Sequence, residues 1–333
     1  MAPEAANVAA ELRVGRLANI EAVLAVHESE MRSGAAAGFR AVDVDVWGGI
    51  GVRIYPDRGL DLGQAWFHGV PLAWVSRVGE AGPLERLDAT DWGNAFGGGL
   101  MTTCGLRNVG MPSEGHGLHG TYSHLAATGL ATDRFVSDAE AGVVASGTVE
   151  DAAPPAALRV DRTIRTLAGT GRLEIDDVTT NIGTEVAEAP LLYHFNFGYP
   201  LWADPALLEM PAVATVARDA ASEAALESWN RPPPVETAPE RVLEHELHGE
   251  DEWAWARITN GDVGIAVTLR WERSGLPRLN QWVDPNPGTA VLGVEPANCS
   301  TRGRSFERAA GTLPHLAPGE RRRTRLVVEA EAI

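Results

Sequence analysis

Apolar and polar residues alternate along much of this 333-residue chain. The period of two is clearest in AVDVDVW (41–47), IGVRIY (50–55), RLEIDDV (172–178) and VGIAVTLRW (263–271). Such alternation predicts strands with one buried and one exposed face, as in antiparallel sheets. Clusters of Gly, Pro, Asp and Asn, such as YPDRG, TNGD and DPNPG, separate these segments and predict turns. The pattern therefore predicts an all-β fold built as a large antiparallel sandwich.

Helical periodicity is confined to two short segments, near residues 3–12 and 216–228. The stretch ESWNRPPPVETAPE (227–240) has the composition of a linker, but the same kind of strand pattern resumes after it. We therefore predict a single domain over residues 1–333, in which residues 1–35 are an N-terminal lead-in and residues 227–240 form a surface loop.

The chain is strongly acidic, with 45 Asp and Glu residues, 28 basic residues and a net charge of −17. Such a surface repels phosphate backbones and anionic lipids, so neither nucleic acid nor a membrane is an expected partner. No apolar run approaches the ~18 residues that a membrane span requires. The N-terminus also lacks the basic start and apolar middle of a signal peptide. We therefore expect a cytoplasmic protein.

All 28 basic residues are arginine, which excludes chemistry that needs a lysine amine. Schiff-base aldolases, lysine-anchored pyridoxal enzymes and P-loop NTPases are thereby excluded. No GxGxxG motif lies between a strand and a helix, so a dinucleotide site has no support either. The two cysteines, Cys104 and Cys299, form no CxxC motif and are predicted to be reduced and buried. The sequence therefore predicts no cofactor.

Two polar clusters lie in the first half of the chain. Arg58 and Asp61 occupy the turn-rich DRGLDLG, where they either pair with each other or hold a polar ligand. The glycine-rich stretch 96–127 carries Arg107 and three histidines, and its glycines permit close approach of backbone to a ligand. The histidine spacing matches no helix-borne zinc motif and no cysteine joins it, so we predict no metal.

Two further clusters lie in the second half. In LLYHFNFGYPLW (191–202), strand alternation places His194 and Asn196 on one face, which is either core or the wall of a pocket. Glu295 follows the apolar run AVLGV, where a carboxylate is costly unless it is paired or functional. Trp282 lies close to this cluster in sequence and offers an apolar surface to a ligand.

Taken in order, these motifs resemble the aldose 1-epimerase (galactose mutarotase-like) superfamily, and most closely its DUF4432 branch. The matching elements are DRGLDLGQA, GGLMTTCGL with NVG, GLHG, HFNFG, LGVEPAN followed by GR, and LAPGE, from about residue 50 to about residue 320. The resemblance implies a β-supersandwich of large antiparallel sheets with a sugar site in a cleft. Each motif is weak alone, and their number and order carry the assignment.

The resemblance also implies roles for individual residues. Glu295 becomes the general base that takes the anomeric hydroxyl proton, and His194 becomes the general acid that protonates the ring oxygen. His119, in GLHG, is expected to bind a sugar oxygen and to assist. The remaining candidates for substrate binding are Arg107, Asn196, Arg58, Asp61 and Trp282.

The sequence departs from the family at two motifs. Mutarotases commonly have HGG where this chain has His119-Gly120-Thr121, and HSYFNL where it has His194-Phe195-Asn196-Phe197. These departures affect the choice of sugar more than the acid–base pair.

Three functions remain open at this point. The first is an aldose 1-epimerase that interconverts anomers, which requires one acid, one base and no cofactor. The second uses the same pair to remove a proton from carbon, as in a sugar isomerase, carbon epimerase or lyase. The third is a non-catalytic carbohydrate-binding protein. In each case the expected partner is a small-molecule carbohydrate, and the protein is expected to be a monomer or homodimer.

Overall fold

A computed structural model describes residues 8–83, 91–152, 157–249 and 251–333. Its strands in chain order are β1 Leu24–Glu30, β2 Arg40–Val46, β3 Ile50–Tyr55, β4 Asp61–Phe67, β5 Val70–Pro71, β6 Trp74–Val75, β7 Gly98–Gly99, β8 Met101–Gly105, β9 Thr128–Val136, β10 Ala141–Asp151, β11 Leu158–Leu167, β12 Arg172–Asn181, β13 Ala187–Glu188, β14 Leu191–Phe197, β15 Leu207–Glu209, β16 Ala212–Ala217, β17 Arg241–Leu247, β18 Trp253–Asn260, β19 Ile265–Glu272, β20 Arg278–Asp284, β21 Val291–Ala297, β22 His315–Leu316 and β23 Arg321–Ala332.

The helices of the described residues are short. The α-helices are α1 Val8–Arg13, α2 Asp91–Ala95 and α3 Arg304–Ala310. The 3₁₀ helices are Ile20–Ala22, Gly34–Ala36, Pro56–Arg58, Tyr122–His124 and Ala220–Ala225. Within the described ranges, no helix has the length and apolar character needed to cross a membrane.

Two large antiparallel sheets carry the fold. The first has the order β1-β2-β3-β4-β8-β14-β21-β20-β17-β16, with β5 paired to β4. The second has the order β15-β18-β19-β23-β12-β11-β10-β9. The main apolar core contains residues of both sheets, such as Val44 and Phe195 from the first and Ile164 and Leu326 from the second. The predicted all-β sandwich is thus confirmed.

The two sheets bury their strands differently. Along β11 and β12 of the second sheet, buried and partly exposed residues alternate, so one face meets the core and the other meets solvent. In the first sheet, every residue of β8, β14 and β21 is buried. These central strands are covered on both faces, which explains the nearly continuous apolar appearance of LLYHFNF.

The segments predicted as helical differ in part from the structure. Residues 3–7 lie outside the described residues, and α1 begins at Val8. In the segment 216–228, β16 ends at Ala217 and a 3₁₀ helix covers Ala220–Ala225, so no α-helix forms there. The predicted lead-in contains β1, which forms an edge of the first sheet. The single-domain boundaries stay a prediction.

A buried arginine joins the two sheets. Arg162 of β11 has a side chain that is 0% exposed, and it donates to both carboxylate oxygens of Asp177. It also donates to the Thr103 hydroxyl of the first sheet at 3.0 Å and lies 3.5 Å from Asp61 Oδ1. The Tyr193 hydroxyl of β14 donates to Asp177 at 2.6 Å. Buried charges require such partners, so this network fixes the two sheets to each other.

We predict that Arg162→Met destabilises the protein by about 3–5 kcal/mol, because it leaves buried carboxylates without their cation. Arg165→Met is the matched control, since Arg165 lies on the outer face of the same strand and pairs with Glu140 and Glu174 near solvent. It should cost about 0.2–1 kcal/mol. Urea unfolding followed by tryptophan fluorescence measures both values. Equal losses for the two variants would contradict the role given to Arg162.

Candidate active site

The central strands of the first sheet bring His194 and Glu295 together. Phe195 of β14 pairs with Val294 of β21, and Leu192 pairs with Ala297. This register places His194 directly opposite Glu295, on the sheet face that points away from the core. Directly opposed residues have Cβ atoms about 4.5–5.5 Å apart, so the two side chains must interact.

The two side chains are close and dry. His194 Nε2 lies 3.1 Å from Glu295 Oε1, and the residues are 4% and 2% exposed. Despite this distance, Glu295 Oε1 has no hydrogen-bond partner among the described residues. The same holds for His194 Nδ1. Buried polar atoms without partners are unusual and indicate a place for a ligand or water.

Aromatic rings surround the imidazole of His194. The Phe96 and Trp282 rings each lie 5.3 Å from it, and the His119 ring lies 5.9 Å away, all in edge-on arrangements. Such an enclosure excludes water from the imidazole. It therefore makes the charged form of His194 unfavourable.

Burial moves the two pKa values in opposite directions. It lowers the pKa of His194 to about 4. It raises the pKa of Glu295 to about 8, an effect that Arg218 opposes and Glu240 supports. Near neutral pH the carboxyl group of Glu295 is therefore protonated while the imidazole of His194 is neutral. Two groups whose environments separate their pKa values in this way form an acid–base pair.

His119 is oriented as a hydrogen-bond donor. The backbone N–H of Gly110 donates to His119 Nδ1 at 3.3 Å, so the neutral ring carries its proton on Nε2. Burial, and then the charge of His194, lower the pKa of His119 to about 3, so the ring is neutral at physiological pH. The Trp92 ring packs against it at 4.6 Å. His119 can therefore offer an N–H to an oxygen of a ligand.

A cavity of about 190 Å³ contains this chemistry. At its rim, Arg218 lies 3.4 Å from Glu240, and the Trp282 indole N–H donates to Glu240 at 2.9 Å. The lining residues are Trp92, Gly93, Phe96, Gly110, Met111, Leu118, His119, His194, Arg218, Glu240, Val242, Trp282, Glu295 and Thr301. Aromatic walls with a few convergent polar groups are typical of a small-molecule site.

The absence of a side chain at Gly293 leaves room for the side chains of His194 and Glu295. Gly293 lies between Asn196 of β14 and Trp282 of β20. A Cβ at this position would come within 2.8 Å of Glu295 Oε1 and 3.1 Å of His194 Cε1. Only glycine therefore permits the observed arrangement, and strand alternation alone did not reveal this.

The structure places Arg58 and Asp61 away from the pair. They line a separate cavity of about 30 Å³, and Arg58 donates to the backbone oxygens of Ala81 and Ala95. Asp61 accepts the Thr103 backbone N–H at 3.0 Å, and burial raises its pKa to about 6. Asp61 belongs to the charge network around Arg162, and neither Asp61 nor Arg58 is brought together with His194.

Arg107 and Asn196 also do not line the cavity. Arg107 forms a two-pronged ion pair with Asp151, with both N···O distances at 2.7 Å. The Asn196 amide donates to the backbone oxygens of Gly99 and His194 beneath the site. Of the predicted candidates, the structure therefore groups His194, Glu295, His119 and Trp282.

Sequence reasoning missed Trp92, Phe96, Arg218 and Glu240. Trp92 lies on α2 and Phe96 directly after it, while Arg218 follows β16 and Glu240 precedes β17, and no local pattern marks them as neighbours of the pair. As for metals, the described ranges contain no group of three or more His, Cys, Asp or Glu residues that could hold one.

Comparisons with known proteins agree with the fold. The sequence model of a family described as "Domain of unknown function (DUF4432)" matches residues 36–330. A candidate aldose 1-epimerase of Klebsiella pneumoniae has a similar structure, with a TM-score of 0.84 and 21% identity over 92% of this chain and 83% of that one. No curated protein matches the chain in sequence.

More distant structures have the same architecture. A galactose mutarotase-like protein of Clostridium acetobutylicum gives a TM-score of 0.65 at 14% identity, covering 94% of this chain and 100% of that one. The galactose 1-epimerase of Lactobacillus acidophilus gives 0.60 at 14% identity, covering 93% and 99%. The predicted galactose mutarotase-like fold is thus confirmed.

We predict that Gly293→Ala displaces the Glu295 carboxyl group and changes the NMR signals of the His194 ring nitrogens. The added methyl overpacks the site and should cost about 1–3 kcal/mol of stability. Gly261→Ala is the control, because a Cβ there meets nothing within 4 Å. Unaltered His194 signals in Gly293→Ala would show that the pair does not depend on this glycine.

Proposed function

Because the chain belongs to the DUF4432 family and has the galactose mutarotase-like fold, we propose that it is an aldose 1-epimerase-like enzyme that interconverts the anomers of a sugar. The observation that carries the proposal is the buried His194–Glu295 pair, in which His194 Nε2 and Glu295 Oε1 lie 3.1 Å apart. Exchange between anomers moves two protons on one substrate, so it needs a base and an acid in one water-poor cavity.

In this proposal the proton of the pair first moves from Glu295 to His194, which gives the less populated ionised form. Glu295, as carboxylate, then removes the proton of the anomeric hydroxyl, and His194, as imidazolium, gives a proton to the ring oxygen. The bond between the anomeric carbon and the ring oxygen breaks, and a carbonyl forms at the anomeric carbon. Rotation about the adjacent carbon–carbon bond presents the other face of the carbonyl. Closure then returns the proton from Glu295 to the anomeric oxygen, while His194 recovers the proton of the ring hydroxyl.

Burial assists the ring-opening half of this cycle. Opening converts a charged pair, carboxylate and imidazolium, into a neutral pair, carboxylic acid and imidazole. A site of low polarity favours the neutral pair, as the pKa values of about 8 for Glu295 and about 4 for His194 indicate. His119, through Nε2–H, would hold an oxygen of the substrate while the protons move.

The proposal is tested by NMR exchange spectroscopy of anomeric signals over an aldose panel in D2O. We expect the protein to accelerate exchange, and His194→Ala or Glu295→Gln to reduce the acceleration by about 10²–10⁴. His315→Ala is the control, since His315 is exposed on β22. Deuterium on carbon without faster anomer exchange would assign isomerase, carbon-epimerase or lyase chemistry to the pair. Binding of sugars without either reaction would identify a non-catalytic protein.

The pKa values also predict how activity depends on pH. We expect kcat/KM to be bell-shaped, because only a pair with one proton can work. Activity falls below about pH 4, where His194 gains a second proton and no base remains. It falls above about pH 8, where Glu295 loses its proton and no acid remains. Anomer exchange measured from about pH 3 to about pH 10 tests both limbs.

Two rim variants should move the alkaline limb in opposite directions. Arg218 lowers the pKa of Glu295, so Arg218→Gln should shift this limb to higher pH. Glu240 raises the same pKa, so Glu240→Gln should shift it to lower pH. Shifts of the same sign in both variants would exclude Glu295 as the group that controls the limb.

A further inference from the structure

A second and larger cavity lies beside the candidate active site on the same sheet. It has a volume of about 450 Å³ and is lined in part by Asp284 of β20 and Val291 of β21, which are paired residues. Two residues along β20, Trp282 borders the active-site cavity. Because a strand rises about 3.3 Å per residue and alternate residues share a face, Trp282 and Asp284 lie about 7 Å apart on one face of the sheet, so the two cavities have neighbouring wall residues.

One loop connects the two cavities. The segment 227–240 supplies Pro232 to Val235 to the second cavity and Glu240 to the first. It is fastened to the sheet: the Glu236 N–H donates to Pro285 O at 3.0 Å, and the Asn286 amide donates to Ala238 O at 2.7 Å. A loop held in this way can form a preformed wall along both cavities.

The lining of the second cavity suits a sugar ring. Tyr199 is 82% exposed, and with three consecutive prolines it presents apolar surfaces to the cavity. The carboxylates of Asp204 and Asp284 can accept hydrogen bonds from hydroxyl groups, and the described residues that line the cavity include no arginine or histidine. Trp202 is 4% exposed, and its indole N–H has no partner among the described residues. Apolar faces with a few acceptors and a spare donor match the CH faces and hydroxyls of an uncharged sugar.

We propose that this second cavity, the Tyr199 cavity, binds a further glycosyl unit, so that the substrate is a reducing disaccharide or longer saccharide. The reducing unit would occupy the His194–Glu295 cavity, and the next unit would lie against Tyr199 and the proline segment. This inference rests on the proposed function for the position of the reducing end. Binding of the second unit can nevertheless be measured without turnover.

The test compares glucose, galactose and xylose with maltose, cellobiose, lactose and xylobiose. Saturation-transfer NMR reports which ring contacts the protein, and anomeric exchange spectroscopy reports kcat/KM. We expect saturation of both rings of at least one disaccharide, and a kcat/KM about tenfold above that of its reducing monosaccharide.

Val235→Arg is the diagnostic variant, because Val235 lines the Tyr199 cavity and is 62% exposed, so the substitution leaves the core intact. It should remove saturation of the non-reducing ring and the disaccharide advantage, while monosaccharide exchange is unchanged. Val186→Arg, at a valine that is 59% exposed and lines neither cavity, is the matched control and should behave as the wild type.

The outcomes separate the two proposals. Saturation confined to the reducing ring, or equal loss for both sugars in Val235→Arg, would overturn the Tyr199 cavity as a glycosyl site even if anomers exchange. A third outcome is that both rings are saturated in the wild type, that Val235→Arg removes the saturation of the non-reducing ring, and that no sugar shows faster anomer exchange. This outcome would support the glycosyl site and reject the epimerase.

Discussion

The buried charge of Arg162 is the constraint on which the rest of the structure depends. Its side chain is 0% exposed, and its partners Asp177, Asp61 and Thr103 come from both sheets. Any arrangement of the sheets that separates these partners leaves a charge unpaired in the protein interior. The network therefore disfavours other arrangements of the two sheets. Tyr193, which is hydrogen-bonded to Asp177, directly precedes His194 on β14. Because successive residues of a strand face opposite ways, fixing Tyr193 in the core fixes His194 on the other face.

The same strands explain the chemistry on the outer face. Covering both faces of β14 and β21 excludes water from His194 and Glu295, and this is what separates their pKa values. Gly293 then keeps space between them, since any side chain there would contact both groups. The packing that covers β14 and β21 therefore has two effects: it stabilises the sheet, and it separates the pKa values of His194 and Glu295.

Local pattern predicts those parts of the structure that depend on neighbours in sequence. Alternation indicated the sheets, and the placement of His194 and Glu295 in apolar strands marked them as unusual. The local pattern could not show that Arg58 and Asp61 lie away from the pair. Asp61 lies beside Arg162, which is 101 positions away in the sequence. Arg218 and Glu240 could not be found from the sequence either, because they reach the pair only through the pairing of β16 with β17 and of β17 with β20. Segment 216–228 has helical periodicity, but pairing of β16 with β17 takes its first two residues into a strand.

The charges around the active-site cavity favour an uncharged sugar. Near neutral pH, Glu295 holds its proton while His194 and His119 are neutral, so these three groups contribute no net charge. Arg218 is balanced by Glu240 at the rim and by Asp219 at 2.9 Å. An anionic substrate would have to displace Arg218 from these carboxylates, and it would approach a protein with a net charge of −17, which repels anions near its surface. A neutral sugar meets neither cost, and its hydroxyls can satisfy the unpaired oxygen of Glu295 and nitrogen of His194.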